Sequence, residues 1–280
     1  MESHIASWFR GVLVAGAFLG GALAPLGGVA AEPAAEPWPQ LRKLLFADRP
    51  ISEDAAAVIE LDAPVRAEDA AVVPVAIRAR AAQTPEKYIR KIYLVIDRNP
   101  SPVGVVFTLT PDSGRADIET RVRIEEYTDV RAIAEMNDGR LYMAKRFVKA
   151  SGGCSAPAGK DLQEAMARMG RMKFRVDGDL KPGQPALAQL MISHPNVSGL
   201  AMDQVTRLYA PPHFVRKVDV TYGGRPIISA EVDFTISENP NFRFYFVPRG
   251  EGELKAEVVD TSDLRFQNSI VVKPGLPSGS

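Results

Sequence analysis

The sequence predicts an all-β protein: two immunoglobulin-like antiparallel β-sandwiches joined by a flexible cysteine-bearing segment and a short helix. Three observations predict it. Several segments alternate apolar and polar residues at period two, the mark of a strand with one face on a core and one in water. The 22 prolines and 22 glycines break the chain often, as short strands joined by turns require. Two strand-rich stretches of about 100 residues flank a Gly/Ser/Pro segment, and that length suits a sandwich of this type. Strands do not alternate with long helices, which argues against a Rossmann fold or an α/β barrel.

The elements follow in order. Residues 1–31 read as a secretory signal peptide. Arg10 precedes an uncharged apolar run from Gly11 to Leu23, and Val29-Ala30-Ala31 supplies a small-x-small cleavage site, so cleavage is expected near Ala31. A retained anchor would need about 20 strongly apolar residues, and this run is rich in Gly and Ala and is followed by Pro25. Residues 32–39 read as an exposed lead-in. Gln40 to Asp48 predicts a short helix with Leu41, Leu44 and Leu45 on one face.

The first sandwich is expected over 38–150. Ile92 to Ile96 and Val103 to Leu109 are apolar runs, and Pro100 and Pro102 between them favour a turn. Ile118, Thr120, Val122 and Ile124 alternate with Glu119, Arg121, Arg123 and Glu125. Asn137-Asp138-Gly139 marks a hairpin. Residues 151–171 read as the flexible arm and linker, and Lys160 to Lys173 as one short helix. The second sandwich is expected over 172–273. Val218, Val220 and Tyr222 lead through the Gly223-Gly224 turn into Ile228, Ala230, Val232, Phe234 and Ile236. Phe242, Phe244 and Phe246 share one face of a further strand, and Glu253 to Val259 and Phe266 to Val272 complete the set. Residues 274–280 read as a disordered tail.

Composition narrows the function. Lys+Arg and Asp+Glu both number 34, so no net charge points to nucleic acid or an anionic membrane surface. The 46% hydrophobic content supports packed cores. No phosphate loop, metalloprotease helix or serine-hydrolase elbow is present, and no carboxylates stand out as an acid–base pair. These readings give no catalytic residue, no metal site and no cofactor.

Cys154 is the single cysteine. It lies in Ser151-Gly152-Gly153-Cys154-Ser155-Ala156-Pro157, and small residues there predict an accessible thiol on a mobile tether, with Gly152 and Gly153 as its hinge. One cysteine excludes a two-cysteine redox centre, a Cys-x-x-Cys-His haem attachment and a Cys-rich zinc site. In an oxidising compartment the thiol is reactive, paired between chains, or incidental. Lys149 and Lys160 flank it, either to lower its pKa or as ordinary solvated charges. His194 and His213, the histidines beyond the leader, suggest a Cys–His pair but lack an orienting third residue. Met166, Met169 and Met172 recur every three residues. Thioethers with a thiolate suit Cu(I); alternatively they are the apolar stripe of a short helix.

Two resemblances join these readings. His194-Pro-Asn-Val-Ser-Gly-Leu200, Ala210-Pro-Pro-His-Phe-Val215 and Ile236-Ser-Glu-Asn-Pro-Asn-Phe-Arg-Phe244 resemble SoxZ, the partner subunit of the periplasmic SoxYZ sulfur carrier. The first stretch resembles SoxY, whose C-terminal Gly-Gly-Cys-Gly-Gly arm holds substrate as a cysteine adduct. Gly152-Gly153-Cys154 matches that arm, but Ser155-Ala156 replace its trailing glycines, and the SoxZ-like part follows directly. The chain resembles a fused SoxYZ of the quinoprotein dehydrogenase-associated branch.

The resemblance implies a non-enzymatic periplasmic carrier. Cys154 would be the covalent attachment site for a sulfur species such as thiosulfate or a persulfide. Its partners would be Sox-type sulfur-oxidising enzymes or a quinoprotein dehydrogenase system, and its two domains would dock on each other. No nucleic acid is implied, nor a membrane once the leader is cleaved. The alternatives are a copper-handling or quinoprotein-dehydrogenase accessory protein built on Cys154 and the methionines, and an Ig-like binding module with an incidental cysteine.

Overall fold

A computed structural model describes residues 36–156, 162–202 and 207–275. The expected signal peptide, Lys160 and most of the expected tail lie outside these residues.

The chain enters through α1 (Trp38–Phe46), where Pro37 and Pro39 set the first turn. Trp38, Leu41 and Leu45 follow helical spacing and pack with buried Phe46 against Val95, Ile133, Leu141 and Met143. The Phe46 ring meets Tyr93 edge-on at 5.0 Å. The expected apolar face is therefore rotated, because Leu44 is 81% exposed.

Eight strands follow before the cysteine: β1 (Ile51–Ser52), β2 (Ile59–Asp62), β3 (Val73–Ala79), β4 (Ile89–Ile96), β5 (Val103–Leu109), β6 (Ile118–Val122), β7 (Thr128–Met136) and β8 (Leu141–Val148). Beyond it come α2 (Leu162–Ala167) and β9 (Met172–Asp177), β10 (Ala186–Ile192), β11 (Val215–Tyr222), β12 (Arg225–Val232), β13 (Asn241–Phe246), β14 (Gly252–Asp260) and β15 (Arg265–Val272). Gly139 at φ +86° turns β7 into β8, and Gly223 and Gly224, both at positive φ, turn β11 into β12. Helix α2 is shorter than the sequence suggests. Met166 on it is exposed and Met172 already belongs to β9, so the three methionines share no helical face.

The strands form two sheets, and both sheets run through both halves of the chain. One has the order β1-β8-β7-β4-β5-β12-β11-β14-β15, the other β2-β3-β6-β13-β10-β9. Each half supplies two layers, so each is a sandwich. The two are joined edge to edge by antiparallel pairing of β5 with β12, from Leu109↔Ile228 to Val105↔Val232. In the second sheet the seam is the Glu119↔Arg243 pair, reinforced by a 2.9 Å ion pair between these side chains. Pairing at the seam satisfies backbone groups that each half alone would leave on open edges. Between the sheets one apolar core is continuous across the seam; Phe107 from β5 meets Phe242 from β13 edge-on at 6.0 Å. Residues from Pro37 onward accordingly form one compact unit.

Candidate functional site

The site is built where β6 ends. After Val122 the chain leaves the ladder, and Arg123, Ile124 and Glu125 become the wall of a pocket for the cysteine turn. Arg123 turns inward instead of taking the solvent face that strict alternation predicts. It is 5% exposed, and its guanidinium donates to the carbonyls of Phe234 (2.7 Å) and Ile236 (3.1 Å). Asn99 fixes the next step: its amide donates to Arg123 O at 2.8 Å, and its carbonyl accepts from Glu125 N at 2.9 Å.

Against this wall lies the turn that carries Cys154. Gly153 N donates to Ile124 O and Gly152 N to Glu125 O. The Glu125 carboxylate accepts three further bonds, from Cys154 N (2.8 Å) and Ser155 N (3.1 Å) on Oε2 and from Ser155 Oγ (2.7 Å) on Oε1. From the second half, Ser198 Oγ donates to Cys154 O at 2.6 Å.

The accessible thiol expected from the sequence is not what the structure holds. Cys154 is fully buried. Burial, with the Glu125 carboxylate adding and Arg123 opposing, pushes its thiol up to about 12, and Asp233 adds further. The two glycines expected as a hinge have distinct places in the closed turn. Gly152 is needed for its left-handed backbone, φ +79°. Gly153 is needed for close packing: a Cβ there would lie 2.0 Å from Ala70 O. Both glycines hold the turn in place. The positive charge beside the thiol is Arg123, not Lys149, which is exposed.

The two Asn-Pro-rich motifs of the second half interlock behind this turn. Asn239 N donates to His194 O, and the Asn239 side chain accepts from His194 N. Buried Asn196 donates to the carbonyls of Ile236 and Ser237 and accepts from Val215 N. Ser237 Oγ donates to Ala71 O in the first half, one residue from the Ala70 carbonyl on which Gly153 packs. The motifs thus brace the cysteine pocket from across the seam.

His194 and His213 do not pair with Cys154. They meet edge-on at 5.0 Å and share Asp260, whose Oδ2 lies 2.7 Å from His213 Nε2 and 3.5 Å from His194 Nε2. Three ligand atoms within 4.8 Å could hold a metal ion by spacing. The hydrogen bonds argue otherwise. Asn196 N–H donates into His194 Nδ1 at 3.0 Å, so that nitrogen carries the lone pair. The proton of the neutral ring then sits on Nε2, facing Asp260 rather than free for a cation. Burial, with His213 adding, pushes His194 down to about 4, which keeps it neutral.

A family model described as sulfur oxidation protein SoxY matches residues 42–154, and one described as sulphur oxidation protein SoxZ matches residues 174–271. Among solved structures, the sulfur carrier protein SoxY from Chlorobium limicola f thiosulfatophilum is similar at 25% identity, over 41% of this chain and 91% of that one, with a TM-score of 0.34. A superoxide reductase (neelaredoxin) from Ignicoccus hospitalis is similar at 19% identity, over 35% and 82% of the two chains, with a TM-score of 0.31. No curated protein sequence matches.

Proposed function

We propose, for a chain that joins a SoxY domain to a SoxZ domain, that it is a periplasmic carrier holding a sulfur species covalently on Cys154 while partner enzymes process it. The observation that carries this reading is the place of Cys154. It is the single cysteine of the chain and the last residue of the SoxY match, and side chains of both domains hold its turn.

The chemistry follows from one thiol. A thiolate displaces thiosulfate from tetrathionate to leave Cys–S–S–SO₃⁻, with no external oxidant. Loading thiosulfate itself requires removal of two electrons and the thiol proton, work for a partner oxidase. An adduct keeps the sulfur from climbing to irreversible oxidation states. The carrier is then a substrate of Sox-type enzymes or of a quinoprotein dehydrogenase system, and export by the 1–31 leader brings it to them. Among the described residues, no helix is long and apolar enough to cross a membrane.

Incubation of the reduced protein with tetrathionate, followed by mass spectrometry, tests the chemistry. A reductant-sensitive S₂O₃ increment on Cys154, absent in Cys154→Ser, is expected. A thiol that stays unmodified even after prolonged incubation in the folded state contradicts the proposal.

A further inference from the structure

A buried thiol cannot react, so a carrier of this design must open. We infer that Glu125 is the positioning residue that latches the Cys154 turn shut, and that release of this turn from Glu125 is the step that presents the thiol to a partner. The inference rests on the carrier reading for its purpose and on geometry for its substance.

The latch is concentrated in one side chain. Glu125 takes the backbone N–H groups of Cys154 and Ser155 and the hydroxyl of Ser155 on its two carboxylate oxygens, and Gly152 N on its own carbonyl. Asn99 holds the Glu125 backbone in register from the opposite side. The clamp is placed to let go. Glu125 is only half-buried and Ser151 and Ser155 are exposed, so water can replace each partner as it leaves. Trading a protein acceptor for water costs little per hydrogen bond, whereas breaking a sheet exposes core. Residues 151–156 belong to no strand. Opening this turn therefore leaves both sheets intact. From across the seam Ser198 holds the turn through its bond to Cys154 O, which makes the second domain a natural point from which to trip it.

The test is the alkylation rate of Cys154 by a small maleimide at one fixed pH, followed across low denaturant concentrations. Local opening predicts a wild-type rate nearly independent of denaturant below the unfolding transition. Glu125→Gln should label at least tenfold faster with the same unfolding midpoint. Glu125→Gln also removes a charge beside the thiol. Ser155→Ala leaves that charge in place, so its acceleration, about threefold, reports opening itself. A wild-type rate that follows the full denaturant slope of global unfolding overturns the latch, and so does Ser155→Ala labelling at the wild-type rate. The probe is synthetic and the thiol starts free, so failure here is separate from absence of a sulfur cargo.

Discussion

Ser198 Oγ donates a 2.6 Å hydrogen bond to the carbonyl oxygen of Cys154, so a residue of the SoxZ domain holds the backbone of the residue that the SoxY domain presents. Joining the two domains in one chain fixes this contact, because both sheets cross the seam. Removing the hydroxyl in Ser198→Ala leaves a buried carbonyl without its donor, at a cost of about 1–2 kcal/mol. Denaturant unfolding should show that loss, and alkylation of Cys154 should quicken at the same time. An unchanged alkylation rate would separate Ser198 from the closed state.

The thiol of the resting protein should be sluggish. A thiol pushed up to about 12 is almost wholly protonated at pH 8, and it is also covered. Alkylation of folded, reduced protein should run at least a hundredfold slower than that of a free cysteine peptide, and at the peptide rate once unfolded. Equal rates before and after unfolding would show an open turn.

The two glycines should differ in how they fail. Gly153→Ala drives a Cβ to 2.0 Å from Ala70 O, where only backbone can yield, so it should destabilise by about 3 kcal/mol or more or dislodge the turn. Gly152→Ala meets the Ser155 hydroxyl at an ordinary 4.0 Å, so its cost is that of the left-handed backbone, about 1–2 kcal/mol. Urea midpoints of the two variants check the order; a hinge role would instead make both substitutions mild.

Stability should fall in mild acid through His194. Its folded value of about 4 lies below its ordinary 6.5, so between those values the unfolded chain binds a proton that the folded one refuses. The contribution is complete above about pH 6.5 and is lost as pH falls towards 4, by up to about 3 kcal/mol. His194→Gln should flatten the pH dependence in that window. Zinc should leave the unfolding temperature unchanged, since the His194 Nε2 proton faces Asp260; a metal-dependent rise would reverse the hydrogen-bond assignment.

Cutting the chain between Ala156 and Leu162 should leave the halves together. The β5–β12 ladder and the Phe107–Phe242 contact hold across the seam without the linker. Co-elution of the fragments in gel filtration without denaturant is expected, and their separation would mean that the sheets do not cross.

Much of this was legible in the sequence, and the misses share a cause. Val103–Leu109 emerges as a strand with the expected bounds, because its apolar run and flanking prolines are local signals. The run from Ile228 to Ile236 stops being a strand at Val232. There Asp233 N turns to Gly104 O, and Phe234 stacks edge-on against Phe214 at 5.7 Å. Both are tertiary contacts that no periodicity contains. Glu125 looked like one more polar residue on an alternating strand. Its role depends on the strand ending at Val122 and on a partner 29 residues later. Ser198 lies 44 residues from the carbonyl it holds. Small residues around Cys154 suggested freedom; the same smallness lets the turn pack without space to spare.

Whether Cys154 carries sulfur is read from the intact mass of protein purified from its native host. A sulfur-containing increment on Cys154 is expected, removed by a thiol reductant and absent from a folded Cys154→Ser variant. A free, unmodified thiol throughout would contradict it. So would bound copper that disappears when Met166, Met169 and Met172 are replaced.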